Sequence, residues 1–121
     1  NVTLVSREDG GFKKCLEEAK KLAEQKQGFL ANQFANKDNT LAHYETTGKE
    51  IVEQLPEKVS AFVSGVGTGG TLMGIGKRLK EWDKNIKIVA LEPDKMPLIS
   101  QNKIIGNHKI EGIGDDFIPD L

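Results

Sequence analysis

One short segment restricts the possible folds of this chain more than any other: residues 65–71, with the sequence Gly-Val-Gly-Thr-Gly-Gly-Thr. We call this segment the glycine loop. The apolar run before it, residues 59–64, is typical of a buried strand. The residues after it place apolar side chains at helical spacing, namely Leu72, Ile75, Leu79 and Trp82. A strand that passes through a glycine-rich turn into a helix is the building unit of α/β proteins.

The composition of the glycine loop predicts an anion site. Gly67, Gly69 and Gly70 allow the backbone to turn tightly and to approach a ligand without a clash of Cβ atoms. The free N–H groups at the start of the following helix, together with the helix dipole, then face the anion. Thr68 and Thr71 can add hydroxyl donors, so the loop can hold a phosphate dianion without a lysine. A turn that merely needs glycines is the alternative.

Strands and helices alternate along the whole chain, which predicts an α/β fold with a mostly parallel sheet and helices on both faces. Asn39 is expected to cap the helix before the glycine loop. Gly48 lies on the apolar face of that helix and predicts that another backbone or a ligand comes close there, since glycine costs about 1 kcal/mol relative to alanine inside a helix. The predicted elements are strands at residues 2–5, 28–31, 59–64 and 86–91, helices at 12–26, 39–55 and 72–82, and a short turn or helix at 96–99.

Charge and composition exclude several classes of function. The formal net charge is −1 with 29% charged residues, which gives no basic surface for nucleic acid or anionic membranes. No apolar run approaches the ~20 residues that a membrane span needs. The single cysteine, Cys15, lies on the apolar side of the first predicted helix, where we expect it to pack and to form neither a disulfide nor a metal site. We therefore expect a cytoplasmic protein.

The two ends of the sequence predict that the chain is an internal piece of a longer protein. It begins at Asn1 without a methionine, directly in a strand-like run and without a signal peptide. It stops in an apolar segment, residues 117–121, whereas chain termini are usually polar and frayed.

The identity of the bound phosphate is a separate question. Gly65-x-Gly67-x-x-Gly70 matches the dinucleotide fingerprint, and Glu92 ends the next predicted strand, where an acid that binds ribose is expected. A nicotinamide-binding Rossmann unit is therefore an alternative. A Walker loop is excluded because the Gly-Lys-Ser/Thr sequence is absent.

Three segments in the same order resemble the cysteine synthases (O-acetylserine sulfhydrylases), which have the tryptophan-synthase-β-like fold of fold type II pyridoxal-phosphate enzymes. The first runs from Asn32-Gln33-Phe34 through Asn36 and His43 to Thr46-Thr47-Gly48. The second is the glycine loop with Ser64 before it. The third is residues 108–114, His-Lys-Ile-Glu-Gly-Ile-Gly, followed by Phe117-Ile118-Pro119. The resemblance covers essentially the whole chain.

The resemblance implies roles for residues that spacing alone does not assign. Pyridoxal 5'-phosphate would be the cofactor, and its phosphate would be bound by Gly67, Thr68, Gly69, Gly70 and Thr71. Gln33 would lie near the substrate carboxylate, and Gly112 at the substrate end of the pocket. Residues 1–35 would end the smaller subdomain, and residues 36–121 would belong to the larger, phosphate-binding one.

Other polar residues receive structural roles or none. Thr46 and Thr47 are expected to stabilise a bend in the helix, and His43 and His108 are expected to be structural or exposed. Glu92 becomes a strand-end acid of unknown role once the dinucleotide interpretation is set aside.

The family's Schiff-base lysine lies in a Ser-x-Lys-Asp segment that this sequence lacks, because Asn36-Lys37-Asp38 stands in the wrong place. No catalytic residue is therefore predicted in these residues, and they are expected to be inactive alone. The complete enzyme would make L-cysteine from O-acetylserine and sulfide. Cystathionine β-synthase and a regulatory or scaffold domain are alternatives. The resemblance also implies a homodimer and a possible complex with the tail of serine acetyltransferase.

Overall fold

The computed structural model describes residues 2–120, and its contacts divide the chain into two units, one that ends at Asn32 and one that begins at Gln33. Asn1 and Leu121, the outer ends of the two predicted subdomains, lie outside the described residues. The elements are α1 (Gly11–Lys26), α2 (Lys37–Glu45), α3 (Thr47–Gln54), β1 (Ala61–Gly65), α4 (Gly70–Trp82), β2 (Lys87–Leu91) and α5 (Leu98–Gln101).

The first unit contains α1, and the helix predicted at residues 12–26 is confirmed. The N-cap residue Gly10 and the first helical residue Gly11 both have positive φ. The C-terminal cap is Gln27, also at positive φ, and the N–H of Gly28 donates to the carbonyl of Ala23 at 2.8 Å. The apolar face of α1 is not buried, and Cys15 is half-buried.

The strands predicted at residues 2–5 and 28–31 are wrong, because neither run is paired with another strand in the part of the chain that the structure describes. An extended segment becomes a strand only when a neighbour completes its ladder of hydrogen bonds. Apolar composition alone therefore does not make a strand.

The helix predicted over residues 39–55 is divided into α2 and α3 at Thr46, whose ψ of −86° departs from the helical value. The hydroxyl of Thr46 donates to the carbonyl of Ala42 at 2.7 Å, so the expected bend is confirmed at this residue. The cap is also different from the prediction. The N-cap of α2 is Asn36, three residues before Asn39, whose side chain accepts the N–H of Asp38 at 3.0 Å.

The sheet of the second unit consists of β1 and β2, which pair in parallel with Phe62 opposite Ile88. Helix α4 connects them and packs on the face that carries these two side chains. On the opposite face Val63 and Val89 are exposed. The parallel β–α–β arrangement confirms the α/β fold class.

The core of the second unit lies between α4 and the sheet, and Leu79, on α4, is completely buried. Two glycines permit close contacts around α4. A Cβ on Gly74 would meet the carbonyl oxygen of Thr40 at 2.3 Å, and a Cβ on Gly48 would meet Cβ of Arg78 at 2.9 Å. The nearest neighbour of Gly48 is therefore a side chain and not the backbone or ligand that was expected, although the carbonyl oxygen of His43 would stand 3.1 Å from the same Cβ. The buried residues at the centre of this core are Ile75, Leu79 and Ile86.

None of the helices within residues 2–120 is both long enough and apolar enough to cross a bilayer.

Candidate functional site

The glycine loop lies at the carboxyl end of the sheet, between β1 and α4. The N–H of Val66 donates to the carbonyl of Leu91 at 3.0 Å, which joins the loop to the end of β2. Gly69 has a φ of 87°, a left-handed conformation that glycine adopts readily, and α4 begins immediately after it. Ligands of open parallel sheets bind at this edge.

The first turn of α4 presents backbone donors that the helix does not use. The first backbone hydrogen bond of α4 runs from the N–H of Met73 to the carbonyl of Gly69 at 2.9 Å. The N–H groups of Thr71 and Leu72 precede this bond, and the N-cap residue supplies no side-chain acceptor. These donors, with the positive end of a helix of 13 residues, suit an anion.

The hydroxyl of Thr68 is surrounded by donors. Its oxygen accepts the Asn39 side-chain Nδ2–H at 2.9 Å and the N–H of Gly70 at 3.3 Å. A hydroxyl oxygen has two acceptor positions and one proton. Both acceptor positions of Thr68 are therefore used, and its proton remains for a further acceptor.

Thr71 is in contact with His43, on the facing helix α2. The Nε2 of His43 lies 3.2 Å from Oγ1 of Thr71, and Nδ1 lies 3.4 Å from Oγ1 of Thr47. Both nitrogens of the half-buried ring are thus occupied by threonine hydroxyls, which agrees with the structural role expected of His43.

The segment of residues 108–114 lies against the glycine loop. A Cβ on Gly67 would stand 2.3 Å from the carbonyl oxygen of Gly112, and a Cβ on Gly65 would stand 2.9 Å from Cγ2 of Ile113. The N–H of Gly114 donates to the carbonyl of Val66 at 3.0 Å. Gly112, predicted at the substrate end of the pocket, is therefore next to the loop.

His108 holds this segment in its conformation. Its Nδ1 accepts the N–H of Ile110 at 3.2 Å, so the ring proton of the neutral tautomer is on Nε2. That Nε2–H donates to the carbonyl of Gly114 at 2.8 Å. The structural role expected of His108 agrees with these contacts.

Gln33 is brought to the same place through its backbone. Its carbonyl accepts Nδ2–H of Asn39 at 2.9 Å, and the same nitrogen contacts Thr68. The side chain of Gln33 is exposed. The three predicted parts of the site, at Gln33, the glycine loop and Gly112, are therefore neighbours, although they are far apart in sequence.

Glu92 has a structural partner that the sequence did not reveal. Its two carboxylate oxygens accept the N–H of Ile99 at 2.8 Å and the N–H of Ser100 at 3.0 Å, and they also accept the hydroxyl of Ser100. The hydroxyl of Ser100, followed by the two N–H groups, lowers the pKa of Glu92. These three hydrogen bonds give the carboxylate a structural role at the start of α5 and leave it fewer free acceptor positions for a ribose, which argues against the dinucleotide interpretation.

Asp115 is an acid beside the glycine loop that the sequence analysis did not single out. It lines a small hollow together with Val66, Gly67 and Phe117. Burial, followed by the charge of Asp116, raises the pKa of Asp115, and His108 opposes the shift. Only the tertiary structure places this carboxyl here.

Asn39 is the residue of this site whose role the sequence analysis missed. The sequence suggested a helix cap, but Asn36 occupies that position. The signal that could have indicated another role is the presence of two asparagines three residues apart at the start of one helix.

The donor set fits the phosphate of pyridoxal phosphate. The loop offers N–H groups of a helix terminus and two threonine hydroxyls, its own residues include no acid, and the glycines leave the backbone accessible. Residues 2–120 contain no group of three or more His, Cys, Asp or Glu side chains that could hold a metal ion.

Comparison with known proteins identifies a family and several relatives. The family described as pyridoxal-phosphate dependent enzymes matches residues 1–120. A cysteine synthase from Staphylococcus aureus is 45% identical over 109 residues, which cover 89% of this chain and 35% of the relative. A cystathionine beta-synthase from Apis mellifera is 47% identical over 94 residues, which cover 74% of this chain and 18% of the relative.

Among solved structures, a hydrogen sulfide-producing enzyme from Fusobacterium nucleatum has a TM-score of 0.92 and 47% identity. The match covers 100% of this chain and 37% of that enzyme. The chain thus spans about a third of the length of the cysteine synthase and of this solved structure.

Proposed function

Because the chain belongs to the family of pyridoxal-phosphate dependent enzymes, we propose that it is the phosphate-binding part of a cysteine synthase that makes L-cysteine from O-acetylserine and sulfide. The observation that carries this proposal is the glycine loop, where the N–H groups of Thr71 and Leu72 and the hydroxyl proton of Thr68 would be available to one anion. The identity to cysteine synthase supports the same reaction.

Each part of the site would have a separate task. The N–H groups at the start of α4, with Thr68 and Thr71, would hold the cofactor phosphate through charge-assisted hydrogen bonds, each worth about 1.5–3 kcal/mol. Gln33 would bind the substrate carboxylate through its exposed amide, and Gly112 would leave room for the substrate. When bound, pyridoxal phosphate supplies an electron sink for the negative charge that develops at the substrate α-carbon.

The proton transfer and the covalent attachment of the cofactor need an amine that this chain does not offer in a matching segment. Lys37 is the nearest match in sequence, but it is exposed and occupies the first position of α2. We therefore propose that the lysine and the loop that holds the substrate carboxylate are supplied by sequence outside these 121 residues.

Two related reactions are second candidates, each favoured by a specific relative. The similarity to cystathionine beta-synthase favours homocysteine as the second substrate in place of sulfide. The similarity to a hydrogen sulfide-producing enzyme over 100% of the chain favours the opposite direction, in which sulfide leaves a substrate such as cysteine. The nicotinamide alternative is weakened because Glu92 caps α5.

The remaining expectations about the whole protein are proposals by family resemblance. They are a homodimer, binding of the serine acetyltransferase tail, and a cytoplasmic location. The predicted subdomain boundary after residue 35 is also a proposal.

Two measurements test this function on the complete protein, which we call the full chain and which under this proposal includes the lysine segment that these 121 residues lack. Addition of pyridoxal phosphate should produce the visible absorbance of a Schiff base, whereas NAD should leave the fluorescence of Trp82 unchanged. A nucleotide-dependent change in fluorescence without the absorbance band would overturn the proposal. The absence of both signals would also overturn it and would support the alternative of a regulatory or scaffold domain.

The substrate is tested separately by comparing O-acetylserine with sulfide, O-acetylserine with homocysteine, and cysteine alone. Cysteine synthesis should be the fastest of the three reactions. A faster release of sulfide from cysteine, or faster use of homocysteine, would replace cysteine synthesis with the corresponding second candidate while leaving the cofactor site intact.

A further inference from the structure

Asn39 connects the start of α2 to the glycine loop with a single carboxamide. Its Nδ2 donates to the carbonyl of Gln33 and to the hydroxyl oxygen of Thr68, both at 2.9 Å. A backbone carbonyl can only accept, so the contact with Gln33 fixes which end of the amide is nitrogen. The side chain of Asn39 therefore presents a donor, and no acceptor, to Thr68.

The oxygen end of the same carboxamide lies against the first residue of α4. A Cβ on Gly70 would stand 2.0 Å from Oδ1 of Asn39, so only glycine at position 70 leaves space for this side chain. Gly70 is buried and Asn39 is half-buried. The amide is thus enclosed between Gln33, Thr68 and Gly70.

We propose that Asn39 is a positioning residue that orients the hydroxyl of Thr68 so that this hydroxyl can only donate to the cofactor phosphate. The proposal rests on the proposed function, which places a phosphate at the glycine loop. Because Asn39 and the N–H of Gly70 occupy both acceptor positions of Thr68, the hydroxyl proton points away from both of them.

The direction of this hydrogen bond matters because the ligand is an anion. If position 39 presented an acceptor, the hydroxyl of Thr68 would donate to it and would turn a lone pair toward the phosphate. A dianion next to a lone pair is repelled, whereas a dianion that accepts a hydroxyl proton gains a charge-assisted hydrogen bond. Asparagine provides the donor, and aspartate, which has the same shape, provides only an acceptor.

The test compares pyridoxal phosphate with pyridoxal, which lacks the phosphate, in the full chain carrying Asn39→Asp. We expect affinity for pyridoxal phosphate to fall at least about tenfold, which corresponds to about 1.4 kcal/mol, while affinity for pyridoxal changes less than about twofold. The matched control is Asn36→Asp, which adds the same charge three residues away, where aspartate is an equally good N-cap. It should leave the ratio of the two affinities unchanged.

Asn39→Ala provides a second variant that adds no charge. It should weaken binding of pyridoxal phosphate by about threefold to tenfold, the loss expected for one hydrogen bond. The loss should largely disappear when Thr68→Ala is already present, because the two residues act through one hydroxyl. Thermal unfolding without ligand, measured for every variant, shows whether each one is folded.

The outcomes separate this inference from the function on which it rests. If the Asn39 variants lose affinity for pyridoxal phosphate and pyridoxal equally, or lose affinity for neither, the positioning role is overturned and the phosphate site remains in place. Equal affinity of the unmodified chain for pyridoxal phosphate and pyridoxal would overturn the phosphate site itself and, with it, the role of Asn39.

Discussion

The α-carbon of Gly67 faces the carbonyl oxygen of Gly112 so closely that a Cβ on Gly67 would stand 2.3 Å from that oxygen. This contact joins the glycine loop to the segment of residues 108–114. Since both partners are backbone groups, neither can move aside in the way that a flexible side chain can. The position of Gly112 therefore depends on the absence of a side chain at residue 67.

Gly67→Ala should accordingly destabilise the second unit and weaken binding of pyridoxal phosphate. Overpacking of this kind typically costs about 1–3 kcal/mol. The measurements are the free energy of unfolding in urea and the affinity for the cofactor. Gly106→Ala is the control, because a Cβ at Gly106 would meet no atom within 4 Å. Equal effects of the two substitutions would contradict the contact between Gly67 and Gly112.

Thr68→Ala and Thr71→Ala in the full chain should each weaken retention of pyridoxal phosphate, because each removes a hydroxyl donor at the start of α4. Thr68→Ser and Thr71→Ser keep the hydroxyl and should restore most of the affinity. Retention is measured by the absorbance that remains after gel filtration. Unchanged retention in both alanine variants would count against the phosphate assignment.

Glu92→Gln should remove part of the pH dependence of stability. The pKa of Glu92 is lowered in the fold, by the hydroxyl of Ser100 and then by backbone N–H groups. The carboxylate is therefore stabilised by folding, and this contribution is present above the ordinary glutamate pKa and disappears as the pH falls through the folded pKa. The stability advantage of the unmodified chain over Glu92→Gln should therefore shrink as the pH falls from the ordinary glutamate pKa through the lower pKa of Glu92 in the fold.

The measurement for Glu92 is the urea midpoint between pH 7 and pH 3. Glu57→Gln serves as the control, because Glu57 is exposed and its substitution removes the same charge. A constant difference between the unmodified chain and Glu92→Gln over the whole pH range would show that the carboxylate does not have the predicted role.

Gly74→Ala should destabilise the chain although alanine favours helices by about 1 kcal/mol over glycine. The added Cβ would meet the carbonyl oxygen of Thr40 at 2.3 Å, which would separate α2 from α4. Gly76→Ala, two residues further along α4, should be tolerated better, because its nearest atom is a side-chain methyl of Ile88 at 3.1 Å. The free energy of unfolding should therefore be lower for Gly74→Ala than for Gly76→Ala. The reverse order would contradict the close contact between Gly74 and Thr40.

The 121 residues on their own should form no cysteine from O-acetylserine and sulfide when pyridoxal phosphate is supplied. Catalysis needs an amine at the reacting carbon, and no lysine of this sequence stands in the family's Schiff-base segment. The assay is the colorimetric detection of cysteine, with the full chain as the positive control. Any turnover above a sample without protein would refute the prediction.

Much of the fold could be predicted from the sequence where the signal is local. The helix at residues 12–26, the glycine loop between a strand and α4, and the strand at residues 86–91 follow from periodicity and from glycine. These patterns depend on neighbours within a few residues, and the structure confirms each of them with small shifts of boundary. The composition of the glycine loop by itself also predicts an anion site.

The tertiary structure decided everything that depends on a distant neighbour. Strand formation at residues 2–5 and 28–31 requires partners that the described residues do not supply, and the break at Thr46 is not visible in the apolar periodicity. The contacts of Asn39 with Thr68 and of Gly67 with Gly112 join segments that are 29 or more residues apart. A linear pattern records which groups a chain possesses, whereas folding determines which of those groups meet.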